Sequence, residues 1–169
     1  MIRKAAEADR ASLAKLAAKL WGNHSEEKLS AEISGLLLLT SAAFFLAEED
    51  GQPVGFAQCQ LRHDYVEGAD SSPAGYPEGI FTEEAFRRKG IAAALLVRYE
   101  SWAKEKGCTE FASDCELLNE AGIRFHKTLG FRKQTPSSAS EKSDKKTGAP
   151  GIFPDAPVFL ILLPLLKIP

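Results

Sequence analysis

The chain has 169 residues, 44% hydrophobic and 26% charged, which fits one soluble globular domain long enough to bury a proper core. A formal net charge of −2 gives no global case for a nucleic-acid or anionic-membrane partner, although it leaves room for a local acidic pocket for a cationic ligand. The 3 cysteines (Cys59, Cys108, Cys115) are odd in number and lack metal-ligand spacing, so reduced thiols are expected rather than a disulfide scaffold or a metal site.

Ile2-Arg3-Lys4 reads as a short strand. Asp9 is placed to cap a helix ending near Trp21, with Leu13, Leu16, Ala17 and Leu20 at helical spacing. Ser25-Glu26-Glu27-Lys28 opens a second helix, whose apolar face is Leu29, Ile33, Leu36 and Leu37. Residues 42–47 read as a strand, Glu49-Asp50-Gly51-Gln52 as a hairpin turn, and 53–65 as the returning strand. A polar loop over 67–75 precedes a strand over 77–82. A helix over 91–106 is stopped by Gly107, a strand covers 108–113, and a helix over 119–129 is closed by Gly130. Phe131 begins another strand.

Residues 134–152 lack periodicity and read as a Pro/Ser/Lys-rich linker. Residues 153–169 are apolar but interrupted by Pro154, Pro157, Pro164 and Pro169, more often than a central strand allows. The apolar runs 35–47 and 158–166 fall short of the roughly 20 residues of a membrane helix. No basic segment followed by an apolar one stands at Met1, so the expected location is the cytoplasm.

The most informative stretch is Arg87-Arg88-Lys89-Gly90-Ile91-Ala92, between the 77–82 strand and the helix that follows. A glycine-bearing turn that opens a helix leaves backbone N–H groups unpaired at the positive end of the helix dipole. Such a turn holds phosphate, and two arginines and a lysine add charge. The turn therefore points to a pyrophosphate-bearing ligand. No Gly-Lys-Ser/Thr follows Gly90, which excludes a P-loop nucleotide site.

With Asn119 and the block Phe125-His126-Lys127-Thr128-Leu129-Gly130-Phe131, the Arg87-x-x-Gly90-x-Ala92 turn resembles the GCN5-related N-acetyltransferase (GNAT) superfamily. Further segments resemble the aminoglycoside 6′-N-acetyltransferases within it: Leu20-Trp21 with His24, Tyr65-Val66-x-Gly68, Ser72-Pro73, Glu78-Gly79-Ile80-Phe81, Trp102-Ala103-Lys104 and residues 108–114. The likeness spans about residues 13–133. It implies an α/β (α+β) acyl-CoA N-acyltransferase fold over residues 1–133. That fold is a twisted, mostly antiparallel mixed sheet of about six or seven strands flanked by about four helices. The family closes with two strands in a short charged segment. Here residues 153–169 either supply a substitute strand or are foreign to the fold. Many members are dimers, which leaves a homodimer open.

The resemblance implies acetyl-CoA as co-substrate and a cationic aminoglycoside as acceptor, with direct transfer in a ternary complex. The cofactor would be held by Arg87, Arg88, Lys89, Gly90, Ile91 and Ala92 around the pyrophosphate. Ile80, Phe81 and Thr82 lie on the strand whose free amide binds the thioester oxygen and the pantetheine arm. Asn119 either binds pantetheine or caps its helix. Glu78 and Asp114 would bind the 6′-amine and accept its proton, since a polycation needs an acidic site. The plainer readings are a strand-end charge for Glu78 and a helix cap for Asp114. His126 stands where the family carries a tyrosine and would protonate the leaving thiolate, unless it is structural. Trp21, His24 and Tyr65 would line the sugar site. Two other readings stay open: a GNAT enzyme acting on a polyamine, peptide or lysine, and an acetyl-CoA-binding module without turnover.

Overall fold

A computed structural model describes residues 1–64, 66, 69, 71–116, 119–129, 131–133 and 158–164, with residues 115–116, 132–133 and 158–164 described by backbone alone. Asp50 and Gly51 both take positive φ, 49° and 75°. That backbone carries the twist of a tight hairpin. It joins β2 (Ala42–Glu49) to β3 (Gln52–Arg62) in antiparallel register, with Phe45 opposite Ala57 and Ala47 opposite Gly55. Strand β1 (Ile2–Lys4) lies along the outer edge of β2, and β4 (Ala74–Thr82) along the other side of β3. The sheet continues with β5 (Glu110–Glu116), parallel to β4, and ends with β6 (Arg132–Lys133) at the edge and β7 (Val158–Pro164) inside it. The full order is β1-β2-β3-β4-β5-β7-β6.

Among the described residues four α-helices cover the faces: α1 (Arg10–Leu20), α2 (Glu26–Leu37), α3 (Ile91–Glu105) and α4 (Glu120–Thr128). The Ser25 hydroxyl accepts from the Lys28 amide at 3.3 Å and caps α2. Asp9 sits at the cap position of α1, but its carboxylate is taken by Arg3 at 2.7 Å and by the Ala6 amide at 2.8 Å. Gly107, with φ of 89°, ends α3. Gly130, the expected stop of α4, lies outside the described residues.

Alternation along the central strands sorts the core into two layers. Phe44, Leu46 and Phe56 pack with Leu13, Leu16, Ala17, Leu29 and Ile33 of α1 and α2. On the other face Phe45, Ala57 and Cys59 pack with Leu95, Leu96, Tyr99 and Trp102 of α3 and with Phe131. Each large side chain so buried contributes about 2 kcal/mol. The β2–β3 pair, buried on both faces, is therefore the rigid frame that places β4.

Several boundaries differ from the sequence reading: β2 runs on to Glu49 rather than 47, and β3 ends at Arg62 rather than 65. Strand β4 starts at Ala74, three residues before the expected 77, so Tyr76 is a strand residue. Strand β5 runs from Glu110 to Glu116 rather than 108–113, because β7 pairs with it along its whole length, from Glu110 opposite Pro164 to Glu116 opposite Val158. The apolar tail thus supplies a substitute strand, and an inner one. Pro157 precedes it and Pro164 ends it, leaving the Val-Phe-Leu-Ile-Leu-Leu run free of proline. Prolines read as interruptions are the ends of a strand.

Candidate active site

The site begins as an irregularity in the β3–β4 ladder. Cys59 pairs with Pro77 and Gln58 with Gly79, so Glu78 is an extra residue on β4. A bulge of this kind bends its strand and re-aims a side chain. On its other side β4 meets β5 at a single register pair, Gly75 opposite Phe111. Beyond it the two parallel strands share no further pair among the described residues, and the sheet opens as a wedge. Tyr99 of α3 closes its apex, edge-on to Phe111 at 5.6 Å between ring centres. An open strand edge of this kind presents backbone N–H and C=O groups to an extended ligand.

Four side chains meet at this opening. The Tyr76 hydroxyl donates to Asp114 Oδ1 across the wedge. Arg62, at the end of β3, donates from Nη2 to Glu78 Oε1 at 2.9 Å and Oε2 at 3.0 Å. The Arg62 guanidinium also lies 3.5 Å from the centre of the Tyr76 ring. Tyr76 is buried beside Val66, Ala74 and Ala112, whereas Asp114 is exposed. Burial pushes the Glu78 carboxyl above its ordinary range; Arg62 pulls it down through its charge and hydrogen bonds, and Asp114 adds to the rise. Burial, then the charge of Asp114, push the Tyr76 phenol up, so it stays a neutral donor. Asp114 lies within β5 and not beyond its end, and the cap of α4 is Asn119. Glu78 is likewise no strand-end charge, but the bulge residue. Tyr76 and Arg62 escaped the sequence reading. The signal for Tyr76 was a polar-tipped aromatic in a buried stretch, which needs a partner for its hydroxyl.

The cationic turn follows β4 directly. Arg87 Nε donates to the Thr82 carbonyl at 3.1 Å and ties the turn to the strand. Arg88 and Gly90 take left-handed backbone, with φ of 65° and 79°, and Gly90 is the N-cap of α3. Glycine at 90 is explained by this φ. A Cβ there meets no protein atom within 4 Å, so crowding within the chain is not the reason. Residues 87–90 are exposed, the first turn of α3 carries no acidic residue, and Ala94 N–H is the first to bond back, to the Gly90 carbonyl at 2.9 Å. The amides of Ile91, Ala92 and Ala93 therefore face outward as an anion cradle. Ile80 packs toward the α3 side of the sheet and Phe81 toward the α1 side, 6.4 Å from Phe56.

The other expected site residues divide. The Trp21 ring lies edge-on to Phe56 at 5.9 Å and covers Gly79, where a Cβ would fall 2.6 Å from Trp21 Cζ2. The missing side chain at 79 is what lets the indole settle beside the Glu78 bulge. The His24 amide donates to the Trp21 carbonyl at 3.0 Å and closes the turn after α1. Asn119 accepts from the Gly122 amide at 2.8 Å, so its side chain acts as a cap. Tyr65 lies outside the described residues.

His126 differs from a poised acid. Its ring is buried, with Nδ1 2.7 Å from the Gly122 carbonyl and Nε2 2.9 Å from Ser113 Oγ. A carbonyl only accepts, so Nδ1 carries the proton and Nε2 accepts from the serine. Burial lowers the His126 pKa and keeps the imidazole neutral. Both nitrogens are occupied, Nδ1 within α4 and Nε2 by Ser113 of β5, so the ring is held as a tie between helix and strand and not poised as a proton donor.

Residues 10–131 match the acetyltransferase (GNAT) family. A Serratia marcescens protein named Aminoglycoside N(6′)-acetyltransferase type 1 is 43% identical over 113 residues, 66% of this chain and 77% of that one. A Salmonella typhimurium protein of the same name is 39% identical over 115 residues, 68% of this chain and 79% of that one. The solved structure of AAC(6′)-Iy in complex with a bisubstrate analog, CoA-S-monomethyl-acetylneamine, superposes with a TM-score of 0.78 at 34% identity, covering 85% of this chain and 98% of that one. The splayed β4–β5 pair, the cationic turn and these likenesses agree: the chain belongs to the GNAT acetyltransferase family, among the aminoglycoside N(6′)-acetyltransferases.

Proposed function

We propose that the chain transfers acetyl from acetyl-CoA to the 6′-amino group of aminoglycosides and so confers resistance to them. One observation carries the reading: an acidic pair, Glu78 and Asp114, stands at the mouth of the same wedge whose β4 strand leads into the cationic turn. Polycation and pyrophosphate each find the charge they need, on either side of an opening lined by free strand edge.

The thioester supplies the acetyl group: the amine nitrogen bonds to its carbonyl carbon, the carbon–sulfur bond breaks to release CoA thiolate, and the second proton shed by the nitrogen passes to that thiolate or to water. Asp114 receives the acceptor ammonium and takes its proton, because it is open to solvent and its carboxylate accepts from the neutral phenol of Tyr76 rather than pairing with a cation among the described residues. Glu78 is the second anchor. The β4 edge near Phe81 orients the thioester oxygen, and the amides of Ile91, Ala92 and Ala93 with Arg88 and Lys89 hold the pyrophosphate. A thiol of ordinary pKa, about 8.5, leaves as thiolate without a dedicated acid. Trp21 lines the sugar side.

Residues 1–133 with strand β7 are taken as one acetyltransferase domain, with 134–152 as its connector. A cytoplasmic location fits the free Cys59 and Cys108. Among the described residues no helix is long and apolar enough to cross a membrane. A homodimer belongs to the same reading, tested by sedimentation. The reaction itself is tested by thiol release from acetyl-CoA with kanamycin against spermidine. Release with kanamycin alone supports the reading, and preference for spermidine refutes it.

A further inference from the structure

Arg62 is the member of the quartet that acetyl transfer does not require. Its fork grips Glu78 through Nε at 3.2 Å and Nη2 at 2.9 and 3.0 Å, and its flat face covers Tyr76 at 3.5 Å. A buried-edge carboxylate and the face of an aromatic ring are the two surfaces an aminosugar would use. Arg62 covers both. Its side chain is 43% exposed and that of Glu78 21%, so the guanidinium lies on the solvent side and can swing off without opening the core.

We propose that Arg62 is a specificity-determining residue: a resident cation that occupies the acceptor's ammonium position on Glu78 and Tyr76 and is displaced only by a polycation. The inference rests on the acceptor site proposed above. Two carboxylates, Glu78 and Asp114, less one guanidinium leave a local charge of −1; without Arg62 it is −2. A small monoamine exchanges one cation for another and gains little. A polycationic sugar displaces Arg62 with one ammonium and keeps others for the remaining field. Tyr76 then becomes a bare platform for the sugar ring.

The test is calorimetric titration of kanamycin into the full chain saturated with CoA, which allows no turnover. It is run near pH 8, about four units above an ordinary glutamate, because burial raises Glu78 and losing Arg62 raises it further. Arg62→Gln should tighten kanamycin about fivefold to tenfold, the size of one exposed ion pair plus one exposed cation–π contact. It should also steepen the salt dependence. Arg62→Lys should fall between, since lysine keeps the charge but lacks the fork and flat face. CoA affinity, unchanged, reports an intact fold; should Arg62→Gln fail to bind CoA, the lysine variant carries the comparison. Unchanged or weaker kanamycin binding overturns the proposal and makes Arg62 a positioning residue for Glu78. Binding to neither form overturns both the proposal and the acceptor site. Wild-type turnover is scored separately: no acetylation with tighter variant binding sinks the reaction and leaves Arg62 standing, whereas acetylation with unchanged binding does the reverse.

Discussion

Tyr76→Phe removes one oxygen and leaves everything else in place. The ring stays among Val66, Ala74 and Ala112, and Arg62 keeps its aromatic face. What is lost is the phenol's hydrogen bond to Asp114. A hydrogen bond to a charged group contributes about 1.5–3 kcal/mol, but exposed Asp114 is rehydrated when it breaks, so the net loss of stability is about 1 kcal/mol. For a chain of this size that is a fall in Tm of about 2–4 °C. The catalytic loss is larger in proportion, because Asp114 then rotates freely instead of facing the wedge. We expect kcat/KM for kanamycin to fall about tenfold, or about 1.4 kcal/mol of transition-state stabilisation, with acetyl-CoA affinity unchanged. Initial rates of thiol release and a thermal melt read both quantities. A normal kcat/KM beside the expected fall in Tm would refute the positioning argument and leave Tyr76 as packing alone.

Asp114→Asn keeps the shape and removes the base, so turnover should fall about 100-fold or more while the Kd for CoA stays put; a loss of CoA binding would place Asp114 elsewhere in the account. Gly90→Ala strains a backbone at φ of 79° but meets no atom, so it should cost about 1 kcal/mol in stability and raise the KM for acetyl-CoA; an unchanged KM would remove the turn from cofactor binding. His126 is held neutral in the fold, whereas the unfolded chain takes up a proton at the ordinary imidazole value of 6.5. Its folded pKa is depressed, so the stability it contributes is present above pH 6.5 and is lost as pH falls from there toward the folded value. The Tm of the wild type should decline over that window more steeply than that of His126→Gln, and parallel declines would refute the buried neutral tautomer.

What was legible in the chain was local. Ser25 caps a helix and Asp50-Gly51 turns a hairpin because neighbouring atoms decide both. Gly90 was found for the same reason, since its positive φ is a local property of the turn. The Asp114–Tyr76 contact was not legible, because it depends on register: a parallel pair that meets once, and a bulge that adds Glu78 to β4. Arg62 was hidden likewise, since its partner lies sixteen residues on and across a strand. His126 was read from its place in a family motif, while its role is set by Ser113, Gly122 and burial. The tail misled most. Four prolines suggested breaks, yet strand formation depends on where they fall, and 158–163 contains none.

The most direct test of the central claim is the structure of the product formed from acetyl-CoA and kanamycin, read by two-dimensional NMR. A single acetyl group on the 6′-nitrogen is expected, formed about 100-fold more slowly when Asp114→Asn replaces the wild type. An acetyl group on another nitrogen, or on oxygen, would contradict it.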